Sequence, residues 1–196
     1  MKMKTMITAI NGLTNINYNS TIKNMAKRIC TRKGNVFCVE LHDLSIPNAI
    51  FKKPHKRFFQ YVANDMTELN SDVIRVFKKR YPMDYEPVID EIISDEVDFY
   101  VHTIVSAWVK EEFCYRVGTT KDVGDIENIK FIESEDYGTR VEKSYNWYIW
   151  TINEKKVYIG PRTGEYVFYN LGGVAPNHDV VHKLITGEFL FKYPRF

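Results

Sequence analysis

The stretch HKRFFQYVANDMTEL (residues 55–69), followed by SDVIRVFKKR (residues 71–80), decides the fold class of the first half of the chain. The apolar residues of the first segment fit the inward face of a helix: Phe58, Phe59, Val62, Met66 and Leu69. The second segment fits a shorter helix that buries Val73, Ile74 and Phe77. We therefore predict two consecutive helices over this part of the chain.

The segments on either side extend this helical prediction. Residues 20–33 fit an amphipathic helix that Ser20 caps and Gly34 ends, and the buried-looking run 35–41 fits a short strand. Residues 88–117 carry two apolar stripes at helical spacing, which predict two helices or one bent helix. The first two-thirds of the chain is thus expected to be mainly helical, with one short strand.

The character of the sequence changes near residue 129. Four aromatic-rich runs separated by turn residues predict an antiparallel β meander: FIES (131–134), YNWYIWTI (145–152), VYIG (157–160) and EYVFYN (165–170). A final short helix is expected to open at Pro176 and to close at Gly187. The predicted fold class is α+β.

The length of the chain bounds its domain organisation. At 196 residues it fits a single domain, 1–196. An alternative division separates a helical part with basic and acidic segments, 1–118, from a β-rich part, 129–196.

The cysteines and the lengths of the apolar stretches indicate the cellular compartment of the protein. The three cysteines, Cys30, Cys38 and Cys114, form neither a disulfide framework nor a paired zinc motif, which favours a reducing compartment. No run reaches the roughly 18 apolar residues of a membrane span. We expect a soluble cytoplasmic protein, in the host cytoplasm if the protein is viral. Asn, Lys, Ile, Tyr and Phe are common and Gln60 is the only glutamine, a composition typical of an AT-rich genome, often viral or phage.

Charge is sorted along the chain. Residues 1–80 carry fifteen Lys and Arg against five Asp and Glu, a net charge of +10. Residues 81–142 carry five against sixteen, a net charge of −11, and residues 143–196 carry seven against four. The sorting predicts either a polyanionic partner or two segments that face each other.

Clustered cations of the N-terminal half favour nucleic-acid binding, because each phosphate contact adds affinity through counterion release. The candidate contacts are Lys23, Lys27, Arg28, Arg32, Lys52, Lys53, Lys56, Arg57, Lys78, Lys79 and Arg80. In the alternative, these cations lie on a solvated surface or pair with the acidic segment 84–98. A nucleic-acid-binding protein is the first functional prediction.

A metal-dependent hydrolase or nuclease is the rival prediction, and it is the only one that needs a cofactor, a divalent metal. In NHDVVH (177–182) a helix would place His178 and His182 one turn apart, with Asp179 as a third ligand. His42 and Asp43 are further catalytic candidates. In the structural alternative, Asp179 favours a helix N-terminus and His178 lies on the buried side.

A third prediction is a non-catalytic interaction protein, such as a host-directed inhibitor. Aromatic residues of the C-terminal hairpins are candidates for a protein-binding surface or for the sheet core: Trp147, Tyr148, Trp150, Tyr158, Tyr166 and Tyr169. The oligomeric state stays open.

Residues 50–117 resemble the KilA-N domain of large DNA viruses and phages. The resemblance lies in KRFFQY (56–61), SDVIRVF (71–77) and YVHTIVSAWVKEEFCYRV (100–117), with Tyr100, Val101, His102, Trp108 and Phe113 in similar roles. It implies DNA binding by a small α/β domain through basic side chains. It also implies that His102 is structural rather than catalytic.

Overall fold

The computed structural model describes residues 30–42, 44–136 and 141–191. Within these ranges the protein is mainly β, with nine strands in two sheets and three short α-helices. The predicted helix at 20–33 falls largely outside the described residues, and its last residues lie in a loop and turn. The predicted α+β class with a mainly helical first two-thirds is wrong.

The first sheet has five antiparallel strands in the order β4-β3-β2-β1-β5. Its strands are β1 (Asn35–Leu41), β2 (His55–Asp65), β3 (Ser71–Phe77), β4 (Val97–Thr103) and β5 (Tyr115–Thr119). Helix α1 (Ile89–Ile93) precedes β4, and helix α2 (Val105–Lys110) precedes β5. The chain thus runs as a four-strand meander, and its fifth strand returns to pair with the first.

The second sheet has four strands in the order β8-β7-β6-β9. Its strands are β6 (Lys130–Ser134), β7 (Trp147–Thr151), β8 (Val157–Gly160) and β9 (Asn170–Leu171). A 3-10 helix spans Gly164–Phe168, and helix α3 spans Asn177–Thr186. Within the described ranges, no helix has both the length and the apolarity needed to cross a membrane.

Strand β2 explains why the helical prediction for residues 55–80 is wrong. Phe59 lies opposite Phe37 with ring centroids 5.1 Å apart, and it also packs on Trp108. Phe58 points to the other face and meets Tyr81 edge-on at 5.0 Å. Because both faces of β2 are buried, consecutive residues are apolar, and the polar alternation that marks a half-buried strand is lost.

Residues 88–117 also differ from the prediction. The first apolar stripe lies in the five-residue helix α1. The second stripe is divided between two elements, because Val101 lies in strand β4 and Trp108 lies in the six-residue helix α2. Short helices therefore connect strands here, and neither a pair of long helices nor one bent helix forms.

Several local predictions are confirmed. Strand β1 has the predicted bounds. Strands β7 and β8 lie within two of the predicted strands, and β6 matches a third but begins one residue earlier, at Lys130. Helix α3 ends at Gly187, which has the left-handed φ of 82° that suits glycine. The fourth predicted strand is wrong, because residues 164–168 form a 3-10 helix and β9 pairs parallel to β6.

The buried side chains form three groups. The largest lies between one face of the first sheet and helices α2 and α3, and it contains Phe37, Phe59 and Trp108. The second group lies on the other face, under α1. The third joins the two sheets, because Val62 and Val73 of the first pack with Phe131 and Trp150 of the second.

Candidate functional site

The basic and acidic segments face each other in the folded chain. Lys78 Nζ lies 3.0 Å from a Glu96 carboxylate oxygen, and Lys79 Nζ lies 2.6 Å from Glu91. The Lys79 side chain lowers the pKa of the Glu91 carboxyl by this hydrogen bond. Much of the charge sorting is therefore satisfied within the molecule.

Two further cations of the basic segment are turned inward. The guanidinium of Arg57 is 3% exposed, donates to the Phe77 carbonyl and lies 2.7 Å from Asp98. Lys56 Nζ donates to the Tyr85 carbonyl oxygen at 3.0 Å and is nearly buried. A group that is already bonded and shielded from water is poorly placed to bind a phosphate.

Among the described residues, four candidates for nucleic-acid contact are exposed and form no ion pair: Arg32, Lys52, Lys53 and Arg80. The Arg80 guanidinium lies 3.4 Å from the centroid of the Phe51 ring. The remaining candidates, Lys23, Lys27 and Arg28, lie outside the described residues. Nucleic-acid binding by the basic half stays a prediction, with fewer contacts than the sequence suggested.

Helix α3 carries the proposed metal ligands, but their polar atoms are used locally. Asp179 is 3% exposed and accepts from the Leu190 backbone N–H, and burial raises the pKa of its carboxyl. His182 Nδ1 donates to the Glu188 carbonyl at 2.8 Å. His178 is exposed, so its predicted place on the buried side is wrong. The helix thus fastens the segment that follows it.

Of the second pair of catalytic candidates, only His42 belongs to the described residues. His42 lies 3.1 Å from Glu40, which also accepts from the Tyr115 hydroxyl, whereas Asp43 lies outside the described residues. Among the described residues, no group of three His, Cys, Asp or Glu side chains is arranged to hold a metal ion. No recorded contact brings His42 to His178 or His182.

The aromatic residues of the second sheet divide into core and surface. Trp147 and Trp150 are buried, at 0% and 4% exposure. Tyr158 is 56% exposed, whereas Tyr148, Tyr166 and Tyr169 are partly buried. The sequence left both interpretations open, and the structure assigns the tryptophans to the core.

Strand β8 is an outer strand of the second sheet, and its side chains are open to solvent. Its first two residues, Val157 and Tyr158, are 60% and 56% exposed. They point to opposite faces because side chains alternate along a strand. Among the described residues no other strand pairs with the outer edge of β8, which leaves backbone donors and acceptors available there.

Tyr148 of β7 lies beside Tyr158 and completes this surface. The two rings lie 5.3 Å apart, and Lys156 Nζ lies 5.0 Å from the centroid of the Tyr148 ring. Lys156 is held between Glu133 and Glu135 at 2.8 and 3.0 Å, and these carboxylates raise its pKa despite partial burial. We call Tyr148, Val157, Tyr158 and the outer edge of β8 the β8 surface.

A buried polar cluster between the sheets was missed in the sequence. Asp65, at the end of β2, accepts from His102 Nε2 at 3.1 Å and from Trp150 Nε1 at 3.0 Å. Its other oxygen accepts from three backbone N–H groups, those of Thr67, Glu68 and Asn153. These partners lie far apart in sequence, so no local spacing could have identified the cluster.

The titration of this cluster follows from its contacts. Burial alone would raise the pKa of Asp65, but hydrogen bonds, the one from His102 foremost, outweigh burial and lower it. Burial lowers the pKa of His102, so a neutral ring donates to a charged carboxylate. With both side chains at 0% exposure, the cluster joins the sheets and has no access to a substrate.

Comparison with protein-family models, curated proteins and solved structures finds no match. The resemblance to the KilA-N domain therefore stays a prediction. The function has to be argued from this chain's own surfaces.

Proposed function

We propose that this chain is a non-catalytic binding protein that takes an extended segment of a protein partner along the β8 surface. The observation that carries the proposal is the open edge of β8, which bears two large apolar side chains more than half exposed. An exposed apolar edge strand is a template for another strand, and natural proteins usually cover or charge such an edge. In strand addition, the backbone provides affinity and alternate side chains provide specificity.

The charge around the β8 surface favours a protein over a nucleic acid. The described residues of the second sheet and its connections, from 130 to 171, include five Lys and Arg against six Asp and Glu. Lys156 is already neutralised by two carboxylates. Tyrosine is among the residues that most often anchor protein interfaces, and the surface offers Tyr148 and Tyr158.

Two other predictions from the sequence, metal-dependent hydrolysis and a cytoplasmic location, have different outcomes. Metal-dependent hydrolysis is not proposed, because Asp179 and His182 use their polar atoms to hold residues 188–190. A cytoplasmic location is part of the proposal, supported by the free thiols of Cys30, Cys38 and Cys114.

The proposal is tested with three immobilised forms of the protein: wild type, Val157→Lys/Tyr158→Glu, and Val88→Lys. The first variant charges the β8 surface, and the control charges Val88, a residue 54% exposed at the start of α1. Both changes are expected to leave the fold intact, which circular dichroism checks.

We expect a protein from the source cells to bind wild type and the Val88→Lys control equally. Its affinity, remeasured with purified partner, should fall about 30-fold or more in Val157→Lys/Tyr158→Glu, as for loss of an interface anchor. Equal binding to all three forms, or no protein that distinguishes them, would contradict the proposal.

A further inference from the structure

A cleft opens at the end of the first sheet where β1 begins and β5 ends. It has a volume of about 570 Å³, and its walls are residues 32–34 and residues 119–121 with Val123. Small-molecule sites in proteins have volumes of roughly 300–1,000 Å³. The cleft is therefore large enough for a ligand of nucleotide size.

Three exposed cations line this cleft: Arg32, Lys33 and Lys121. Among the described residues, no carboxylate is recorded within 4 Å of any of the three. This separates them from Lys78 and Lys79, whose ammonium groups each lie within 3.0 Å of a carboxylate oxygen. The charge of the cleft is left available for an anion.

A buried guanidinium lies behind one wall of the cleft. Arg75 is 5% exposed, donates to Gln60 Oε1 at 2.7 Å and to the Asp122 carbonyl at 3.4 Å. Gln60 Nε2 donates to the same carbonyl at 2.8 Å. Among the described residues no carboxylate lies within ion-pair distance of Arg75. The more distant Asp122 carboxylate offsets part of its charge at the 120–124 loop that Arg75 holds.

Two hydroxyl groups supply donors beside the cations. Thr119 Oγ1 accepts from Asn35 Nδ2 at 2.8 Å, and Thr120 Oγ1 accepts from the Asp122 N–H at 3.2 Å. Since each oxygen already accepts, each O–H proton remains to be donated. The Asp122 carboxylate accepts one hydrogen bond from the Gly124 N–H at 2.9 Å and keeps its negative charge, which Lys121 and Arg75 have to outweigh.

We propose that this cleft binds the phosphate group of a nucleotide-sized ligand. Cations supply the charge, threonine hydroxyls supply directed hydrogen bonds, and the loop is fixed by Arg75 and Gln60. The phosphate comes from a free nucleotide or from a nucleic-acid backbone. The site does not depend on the β8 surface, so either proposal stands if the other fails.

Two titrations at low salt distinguish the sources of phosphate. Adenosine monophosphate, with adenosine as the phosphate-free control, is titrated by calorimetry, and a short fluorescein-labelled DNA strand is titrated by anisotropy. The variants are Lys33→Glu/Lys121→Glu and, as matched control, Lys52→Glu/Lys53→Glu. The control makes the same charge change at the other end of β1, roughly 23 Å away for seven residues.

We expect at least one phosphate probe to bind and adenosine not to bind. Binding of the monophosphate identifies a nucleotide site, and binding of DNA alone identifies a backbone site. Lys33→Glu/Lys121→Glu should weaken binding at least about tenfold and reduce the salt slope for DNA by about two, whereas the control stays within about twofold.

Three outcomes would overturn the proposal: no binding of either phosphate probe, equal binding of adenosine, or an equal loss in both charge-reversal variants. The last would show a general effect of charge rather than binding in the cleft. Circular dichroism of both variants establishes that the measured losses are not caused by unfolding.

Discussion

At the scale of single residues, the Asp65 side chain joins the two sheets by hydrogen bonds to both. It accepts hydrogen bonds from His102 in β4, from Trp150 in β7 and from the backbone of Asn153. A buried charge is tolerated only when it is fully bonded, and removal of a partner leaves an unpaired group in the core. The connection between the sheets should therefore be sensitive to the protonation of this pair.

The pH dependence of stability should report His102. Its folded pKa lies below the ordinary value of 6.5, so between the two values the unfolded chain binds a proton that the folded chain does not. The free energy of unfolding should then fall as the pH drops below 6.5, by up to about 1.4 kcal/mol per pH unit. Urea unfolding of wild type and His102→Gln between pH 7.5 and 4.5 measures this fall.

His102→Gln should flatten this profile relative to wild type, although His55, whose pKa is also lowered by burial, retains part of the slope. The effect of Asp65 enters only at lower pH, because its pKa lies below 3.8. His178→Gln, a change at an exposed ring, should keep the wild-type profile. Identical slopes for wild type and His102→Gln would contradict a neutral buried His102.

At the scale of elements, the sequence predicts best where the length of a run leaves one choice. Strand β1 is buried on both faces, but its seven residues are too few for a typical helix, whereas the eleven of β2 are enough for one. Strand β1 and helix α3 have clear ends and were predicted closely. Strand β2 is buried on both faces, and β3 pairs with it, so burial comes from partners distant in sequence. Such a strand has no alternation to distinguish it from a helix, and the helical prediction failed there for that reason.

The proposed binding surfaces, too, could be predicted from the sequence only in part. The aromatic richness of the second sheet was visible in the sequence, but which rings are exposed depends on strand order. The cations of the cleft lie 88 positions apart, from Lys33 to Lys121, and only the pairing of β1 with β5 brings them together. The internal ion pairs of the basic segment were foreseen as one of two alternatives.

The turn before β1 provides a test of the first sheet. Gly34 has a φ of 92°, and a Cβ there would collide with the Thr120 carbonyl oxygen, next to the hydrogen bond from Thr120 N–H to Gly34 O. Gly164 has a φ of 59°, but a Cβ there would meet no atom within 4 Å.

Gly34→Ala should lower the free energy of unfolding by about 3 kcal/mol or more, from strain and collision together. Gly164→Ala carries only the strain, about 1 kcal/mol. The midpoints of urea unfolding give both values. Equal costs would show that β5 does not approach the turn as closely as the structure places it.

At the scale of the whole molecule, the near-neutral charge of +2 conceals a basic and an acidic segment, which three ion pairs join among the described residues. Two of the surfaces that the described residues leave open carry the proposals made above: a cationic cleft at one end of the first sheet and the apolar edge of β8 on the second. The β8 surface is the main contact in this account.

Site-specific photocrosslinking tests that contact most directly. A benzoylphenylalanine residue replaces Tyr158 in one form and Val88 in another, and both are irradiated in the source cells. We predict a covalent adduct with another protein from position 158 alone, with the crosslinked peptide mapping to an extended segment of the partner. No adduct at 158, the same adducts from both positions, or an adduct that joins only two copies of this chain would contradict binding of a partner along the β8 surface.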